Sequence, residues 1–274
     1  MKMLLPPNWD KPGEGNDKLC AKFSKRVYND SNRILNYRFY EPENKVNKAM
    51  PLVLYLHGAD AAGDDNELQL SMHDIGTFLA RNDMTGRHPC YILAPQYGEM
   101  KHWAMPEIKD ILWELIDRTV KEHSDIDPAR MYIYGYSAGG VGTFRLIKER
   151  PGFFAAALCI CGATGTWNID SLLKTPIYMV HASDDTIVRS TYRTDKNQAL
   201  GNYGSADIYD RFRKEHKDLR YVEYPAGYME ERYGVNPHCS WVAVSDPRNM
   251  NIWEWLFSKK LKEDERWDLS EICN

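Results

Sequence analysis

At 274 residues, with 27% charged and 43% hydrophobic, the chain has the length and balance of a folded protein with a sizeable buried core. A formal net charge of −4 without a long basic run argues against nucleic acid or an anionic membrane surface as partner. No apolar stretch is long enough to cross a membrane, and the apolar run ahead of Pro6-Pro7 is too short for a signal peptide.

Residues 1–20 read as an irregular lead-in. Strand-like runs around Phe23–Tyr28 and Leu35–Tyr40 flank Asn29-Asp-Ser-Asn32, a hairpin signal. After a polar connector from Pro42 to Pro51, Leu52-Val-Leu-Tyr-Leu56 is continuously apolar, the mark of a strand covered on both faces. A Gly- and Asp-rich loop, Gly58 to Asn66, precedes a predicted helix around His73–Asn82. A second buried strand, Tyr91–Ala94, gives way to a loop carrying His102 and Trp103. Pro106 opens a helix whose apolar stripe is Ile108, Ile111, Leu112, Leu115, Ile116 and Val120.

Further strands are predicted at Met131–Tyr134, Ala155–Ile160, Ile177–His181 and Tyr221–Tyr224. Helical pieces fall within Ser190–Lys217, broken near Gly201–Gly204. A long loop, Pro225–Ser240, leads to a last helix around Asn251–Lys260. Strands alternating with helices imply a doubly wound, mostly parallel α/β sheet behind an antiparallel hairpin, in one domain over 1–274. The six cysteines lack paired C-x-x-C spacing for zinc or redox work, and Cys90, Cys159 and Cys161 read as buried free thiols; no metal or cofactor is expected.

Met131–Tyr134 runs straight into Gly135-Tyr136-Ser137-Ala138-Gly139-Gly140 and then into a helix with Val141, Phe144, Leu146 and Ile147 on one side and Arg145, Lys148 and Glu149 on the other. Strand, sharp turn and helix is the context of a nucleophile elbow, in which Ser137 stands at a helix N-terminus. The acid should follow a later strand and the histidine come later still. Asp184 and Asp185 follow the strand ending at His181. Beyond them only His216 and His238 remain. His216 lies in a charged helical run and reads as solvated, whereas His238 sits in the loop after the last strand, where a base belongs. Ala138 N–H and one from Gly58-Ala59 are the expected oxyanion donors, and His57 reads as a structural residue of that loop.

Five blocks carry a resemblance: Leu56-His-Gly-Ala-Asp-Ala-Ala-Gly-Asp-Asp-Asn66, Ala94-Pro-Gln96, Gly135–Gly140, His181-x-x-x-Asp185-x-x-Val188 and His238-x-x-Trp241. Together, over about residues 33 to 258, they resemble carbohydrate esterase family 1, the feruloyl and acetyl xylan esterases with related polyhydroxybutyrate depolymerase-like hydrolases. The resemblance implies an α/β-hydrolase, the triad Ser137, Asp185 and His238, and release of feruloyl or acetyl groups from plant cell-wall polysaccharide by a secreted enzyme. Asp60 departs from the pattern, standing where a glycine is usual. Tyr136 replaces the cysteine that tannase-type members place before the serine, which leaves Cys239 without that disulfide partner.

Trp103, Trp167 and Trp241 fall on loops at the expected substrate rim and, with Tyr136, are the expected substrate contacts. Trp167 is expected to fold over Ser137 and favour a feruloyl group; Trp253, Trp255 and Trp267 read as packing. The competing readings are a general small-ester hydrolase or acyl-peptidase on the same fold and, outside enzymes, a silent hydrolase fold that binds carbohydrate. The intact order of serine, acid and histidine argues against the last.

Overall fold

The computed structural model describes residues 14–30, 33–43, 49–193 and 201–262. Expectations placed on 1–13, Ser31-Asn32, 44–48, 194–200, Trp267 and Cys273 lie outside these residues. A short helix, α1 (Glu14–Cys20), replaces part of the irregular lead-in. The antiparallel hairpin follows as β1 (Ser24–Asn29) and β2 (Ile34–Tyr40). Next come β3 (Met50–Leu56), α2 (Leu68–Ser71), α3 (Asn82–Arg87), β4 (Tyr91–Gln96), α4 (Pro106–Glu122), β5 (Ile126–Tyr136) and α5 (Ala138–Glu149). The remainder is β6 (Ala156–Ile160), β7 (Ala163–Gly165), β8 (Ile177–Ala182), β9 (Asn202–Gly204), α6 (Ser205–Phe212), β10 (Leu219–Tyr224), α7 (Tyr228–Tyr233), α8 (Trp241–Val244) and α9 (Met250–Phe257).

The main sheet has the order β1-β2-β4-β3-β5-β6-β8-β10. It is parallel from β4 to β10, and β2 joins it antiparallel to β4. Every residue of β3, β4, β6 and β8 is buried, because helices cover both faces. Side chains alternate across the pleat. Val53, Tyr55, Tyr134, Leu158 and Val180 enter one core layer with Phe78, Trp253 and Leu256; Leu52, Leu54, Ile133, Cys159 and Met179 enter the other with residues of α4, α5 and α6. This is an α/β-hydrolase fold.

Several local expectations change. The helix around His73–Asn82 is instead a pair of 3₁₀ turns, Asp74–Gly76 and Phe78–Ala80, ahead of α3. Every residue from Ile75 to Ala80 is buried, so this stretch has no solvent face to support an amphipathic helix. The loop Pro225–Ser240 contains α7, bracketed by Gly227 and Gly234 in the left-handed region. Beyond α5, β7 pairs with β9 as a separate two-stranded ribbon. Lys148, expected on the solvent side of α5, is buried: its Nζ donates to Gly165 O at 2.9 Å, and burial lowers its pKa to about 8.

Candidate active site

The elbow is built from main-chain proximity. A Cβ at Gly139 would lie 1.9 Å from Leu56 O, and one at Gly135 would lie 2.5 Å from the Gly139 carbonyl, so only glycine lets β5, β3 and α5 converge here. Between them Ser137 holds φ 53° and ψ −120°, a conformation that costs a non-glycine residue on the order of 1–3 kcal/mol and persists because its surroundings fix it. Its N–H faces Ile160 O at 3.0 Å and Cys161 Sγ at 3.2 Å, and its carbonyl accepts the Val141 N–H at 3.0 Å. Ser137 Oγ is thereby lifted out of the sheet.

Loops from two other strands complete the line. His238 Nε2 lies 2.9 Å from Ser137 Oγ, and His238 Nδ1 lies 2.7 Å from Asp185 Oδ2. With Nδ1–H donating to the carboxylate, Nε2 is left to accept the serine proton. Asp185 is buried; its Oδ1 accepts the N–H groups of Ile187 and Val188 at 2.8 and 3.1 Å. Burial pushes this carboxyl up, but hydrogen bonds from His181 and His238 outweigh it and hold the pKa at about 2. Asp184 points elsewhere, accepting the Gly227 N–H at 2.8 Å and pinning the turn before α7.

The expected oxyanion donors flank this line. Ala138 is the first residue of α5, so its N–H is among those a helix leaves without an intrahelical acceptor. Ala59 heads the 3₁₀ turn Ala59–Ala61, and the Gly58 carbonyl is occupied by Ala61 N–H at 3.2 Å. Gly58 also admits Tyr136, whose Cε2 lies 2.4 Å from where a Cβ would stand. His57 is fully buried as a neutral imidazole: Nδ1–H donates to Gly58 O at 2.6 Å and Nε2 accepts from the Tyr97 N–H at 3.4 Å. Burial drives its pKa down to about 4.

Three of the four expected substrate contacts are buried in the fold, and the fourth is half exposed. Trp103 is buried, donates through Nε1 to His57 O at 3.0 Å and supports the oxyanion loop from beneath. Trp241 is buried against the ring of His238, 5.6 Å between centroids at 89°. Tyr136 is buried, with its hydroxyl 2.8 Å from Asp60 Oδ1. Trp167 is 51% exposed, but its indole stacks under the Arg145 guanidinium at 4.3 Å and beside Lys148 Nζ at 5.7 Å. Arg145 is seven residues past Ala138, about 10 Å along the helix. The tryptophan therefore packs on side chains from the middle of α5. His216 is also displaced from expectation: it is buried, its Nε2 facing the carbonyls of Leu172 and Thr175 at 3.1 and 2.9 Å.

Two site residues carried no role in the sequence reading. His181 Nε2 faces Asp185 Oδ2 at 3.2 Å and Val188 O at 2.8 Å, giving the acid a second histidine neighbour; its four-residue spacing from Asp185 was the available signal. Asp60 Oδ2 lies 2.6 Å from His73 Nε2, a contact across 13 residues with no local sequence mark. A cavity of about 570 Å³ lies further along the same rim, between the start of β2 and the end of β4, with no triad residue in its lining.

Comparisons with known proteins agree with this picture. Residues 98–203 match the model of the prolyl oligopeptidase family, which includes the elbow but stops short of His238. Over 187 residues the chain is 28% identical to the bifunctional acetylxylan esterase/xylanase XynS20E of Neocallimastix patriciarum, spanning 66% of this chain and 26% of that protein. The crystal structure of a thermostable esterase is 30% identical with a TM-score of 0.78, covering 89% of this chain and 64% of its own. The acylaminoacyl peptidase of Pyrococcus horikoshii superposes with a TM-score of 0.58 at 15% identity, over 92% of this chain and 44% of its own, a likeness of fold alone. The chain thus spans only about a quarter of the curated relative and under two thirds of the esterase. Fold and likeness agree on an α/β-hydrolase fold, in which Ser137, His238 and Asp185 stand in one hydrogen-bonded line.

Proposed function

We propose that the chain is a carboxylic ester hydrolase acting through an acyl-enzyme on Ser137. The observation that carries this reading is the unbroken line Ser137 Oγ–His238 Nε2 and His238 Nδ1–Asp185 Oδ2, set at the head of α5. His238 Nε2 takes the Ser137 proton as Oγ attacks the ester carbonyl carbon. The carbonyl oxygen gains the negative charge and is held by the N–H groups of Ala138 and Ala59. The proton then passes from His238 to the departing alkoxide, and a water activated by the same histidine releases the acid.

For the substrate, an acetyl or other short acyl group on plant cell-wall polysaccharide is favoured over feruloyl. The named activity of the Neocallimastix relative supports it. So does the contact of Trp167 with Arg145, which occupies one face of the ring expected to meet a feruloyl group. The match to the prolyl oligopeptidase family favours a second reading, amide cleavage as an acyl-peptidase. A panel of 4-nitrophenyl acetate, acetylated xylan, methyl ferulate and an aminoacyl-anilide separates these. Turnover of the acetyl esters is expected; turnover of the anilide alone would replace the esterase reading.

A further inference from the structure

An oxyanion hole assembled from two loops works only if both donors converge on one point, so something must fix the distance between the loops. Here the donors sit on the elbow, at Ala138, and on the turn Ala59–Ala61. The far end of that turn is tied to β4 and the residue after it: Gln96 Nε2 donates to Ala61 O at 3.1 Å, and Gly63 N–H to Tyr97 O at 3.0 Å. Toward the elbow the tie is a side chain. Asp60, next to Ala59, receives the hydroxyl of Tyr136, next to Ser137, on Oδ1 at 2.8 Å, and faces His73 Nε2 with Oδ2 at 2.6 Å.

The rings around this carboxylate extend the tie to the third catalytic loop. His73 packs edge-on to Tyr136 at 5.3 Å and tilted against Trp241 at 4.9 Å; Tyr136 meets Trp241 at 4.5 Å. Trp241 in turn stands perpendicular to the His238 ring. The His73 side chain is 8% exposed and that of Asp60 20%. The three groups therefore meet largely out of water, where a charge-assisted hydrogen bond is stronger and an unmade one costs more.

We infer that Asp60, held by His73 and Tyr136, is a positioning residue that clamps the oxyanion turn to the nucleophile elbow and sets where the Ala59 N–H points. The inference rests on the serine hydrolase reading of the site. It assigns a use to the aspartate that stands where related esterases are expected to carry glycine: its two carboxylate oxygens bridge two donors that glycine could not engage. Burial pushes the Asp60 carboxyl up, yet the bonds from His73 and Tyr136 outweigh it and lower the pKa, so the clamp holds a carboxylate rather than an acid.

The test uses the full chain and two readouts that do not depend on the natural substrate: the second-order rate of Ser137 labelling by a fluorophosphonate, whose phosphoryl oxygen enters the same hole, and kcat and KM on 4-nitrophenyl acetate. Tyr136→Phe removes one oxygen and leaves the ring packing. It should lower both the labelling rate and kcat by roughly ten-fold, a fraction of what outright loss of an oxyanion donor costs, with KM within about two-fold because ground-state binding is untouched. Asp60→Asn should fall similarly, and the double variant no further than the worse single one, since both break one bridge. Wild-type rates in a labelled Tyr136→Phe protein overturn the clamp, as does a lowered melting temperature with rates intact. Should Asp60→Asn fail to fold, Tyr136→Phe decides alone. A wild-type protein that the probe does not label overturns the serine hydrolase reading and the clamp with it.

Discussion

Among the described residues two carboxylates, Asp185 and Asp60, each hold a histidine beside the nucleophile elbow, and they differ in what lies beyond that histidine. In one, Asp185 holds His238 at 2.7 Å and the opposite ring nitrogen meets Ser137 Oγ at 2.9 Å. In the other, Asp60 holds His73 at 2.6 Å and the ring faces the aromatic surfaces of Tyr136 and Trp241. The contact distances are nearly equal, so the pair alone does not make a base. On the proposed mechanism the first passes a proton to and from a reacting atom, whereas the second lies against two aromatic rings. Asp185 also takes two backbone N–H groups and a second histidine neighbour, while Asp60 spends its remaining oxygen on a phenol. One carboxylate is engaged to keep a tautomer, the other to keep a distance.

Removing the charge from the first pair should have the largest effect. Asp185→Asn is expected to retain the fold and lose up to about 10⁴-fold in kcat, because His238 would no longer be held in the tautomer that accepts the serine proton. Asp184→Asn, whose partner is the Gly227 N–H, should change kcat by less than about three-fold, since it acts only through a surface turn. Steady-state kinetics on both variants checks the contrast; reversed outcomes would mean that Asp185 holds structure and Asp184 the base.

Acid sharpens the comparison by acting first on His57, a buried histidine outside both pairs. His57 is buried neutral with a pKa lowered to about 4. A base whose folded pKa is depressed contributes stability that is full above its unfolded value, near 6.5, and is lost as pH falls toward the folded one. Over that window the loss should reach about 3 kcal/mol. Asp185, held at about 2, also contributes stability above its unfolded value near 4, so its loss belongs to a separate, more acidic range. Denaturant melts at pH 7, 5.5 and 4.5, repeated on His57→Asn, measure the first effect: the variant should be less stable at pH 7 and less sensitive to acid between those points. Parallel pH curves for the two proteins would count against it.

The smallest expected effect lies away from both pairs. Trp167→Ala removes a partly exposed cation–π contact with Arg145, worth roughly 0.5–1 kcal/mol of stability, and should leave kcat/KM on acetyl and feruloyl esters unchanged in ratio. A selective loss on feruloyl esters would return Trp167 to the acyl pocket.

What the sequence disclosed follows from the range of the forces involved. Buried strands are legible because both faces are apolar over consecutive residues, as in Leu52–Leu56, and the elbow is legible because Gly135, Ser137 and Gly139 meet a local backbone requirement. The place of His238 follows from chain order on a sheet. Burial of loop aromatics was not legible: Trp103 and Trp241 each follow a short polar stretch in the chain but reach back to the His57 carbonyl and onto the His238 ring. His216 misled for the same reason. It stands beyond the end of α6, in a turn that tucks its ring against the carbonyls of Leu172 and Thr175. The His73–Asp60 contact has no sequence period at all, because it joins two irregular segments.

The 1.9 Å that would separate a Gly139 Cβ from Leu56 O has a consequence for anyone reshaping this protein by random mutation. The opposing atom is main chain on a fully buried strand and cannot swing aside as a side chain would. Libraries that diversify 135–140 will therefore fill with clones that are inactive through faulty assembly, and these would be scored as though chemistry had been lost. Adjustable ground lies at exposed side chains such as Trp167 and Ile187, whose replacement leaves the main-chain crossing intact.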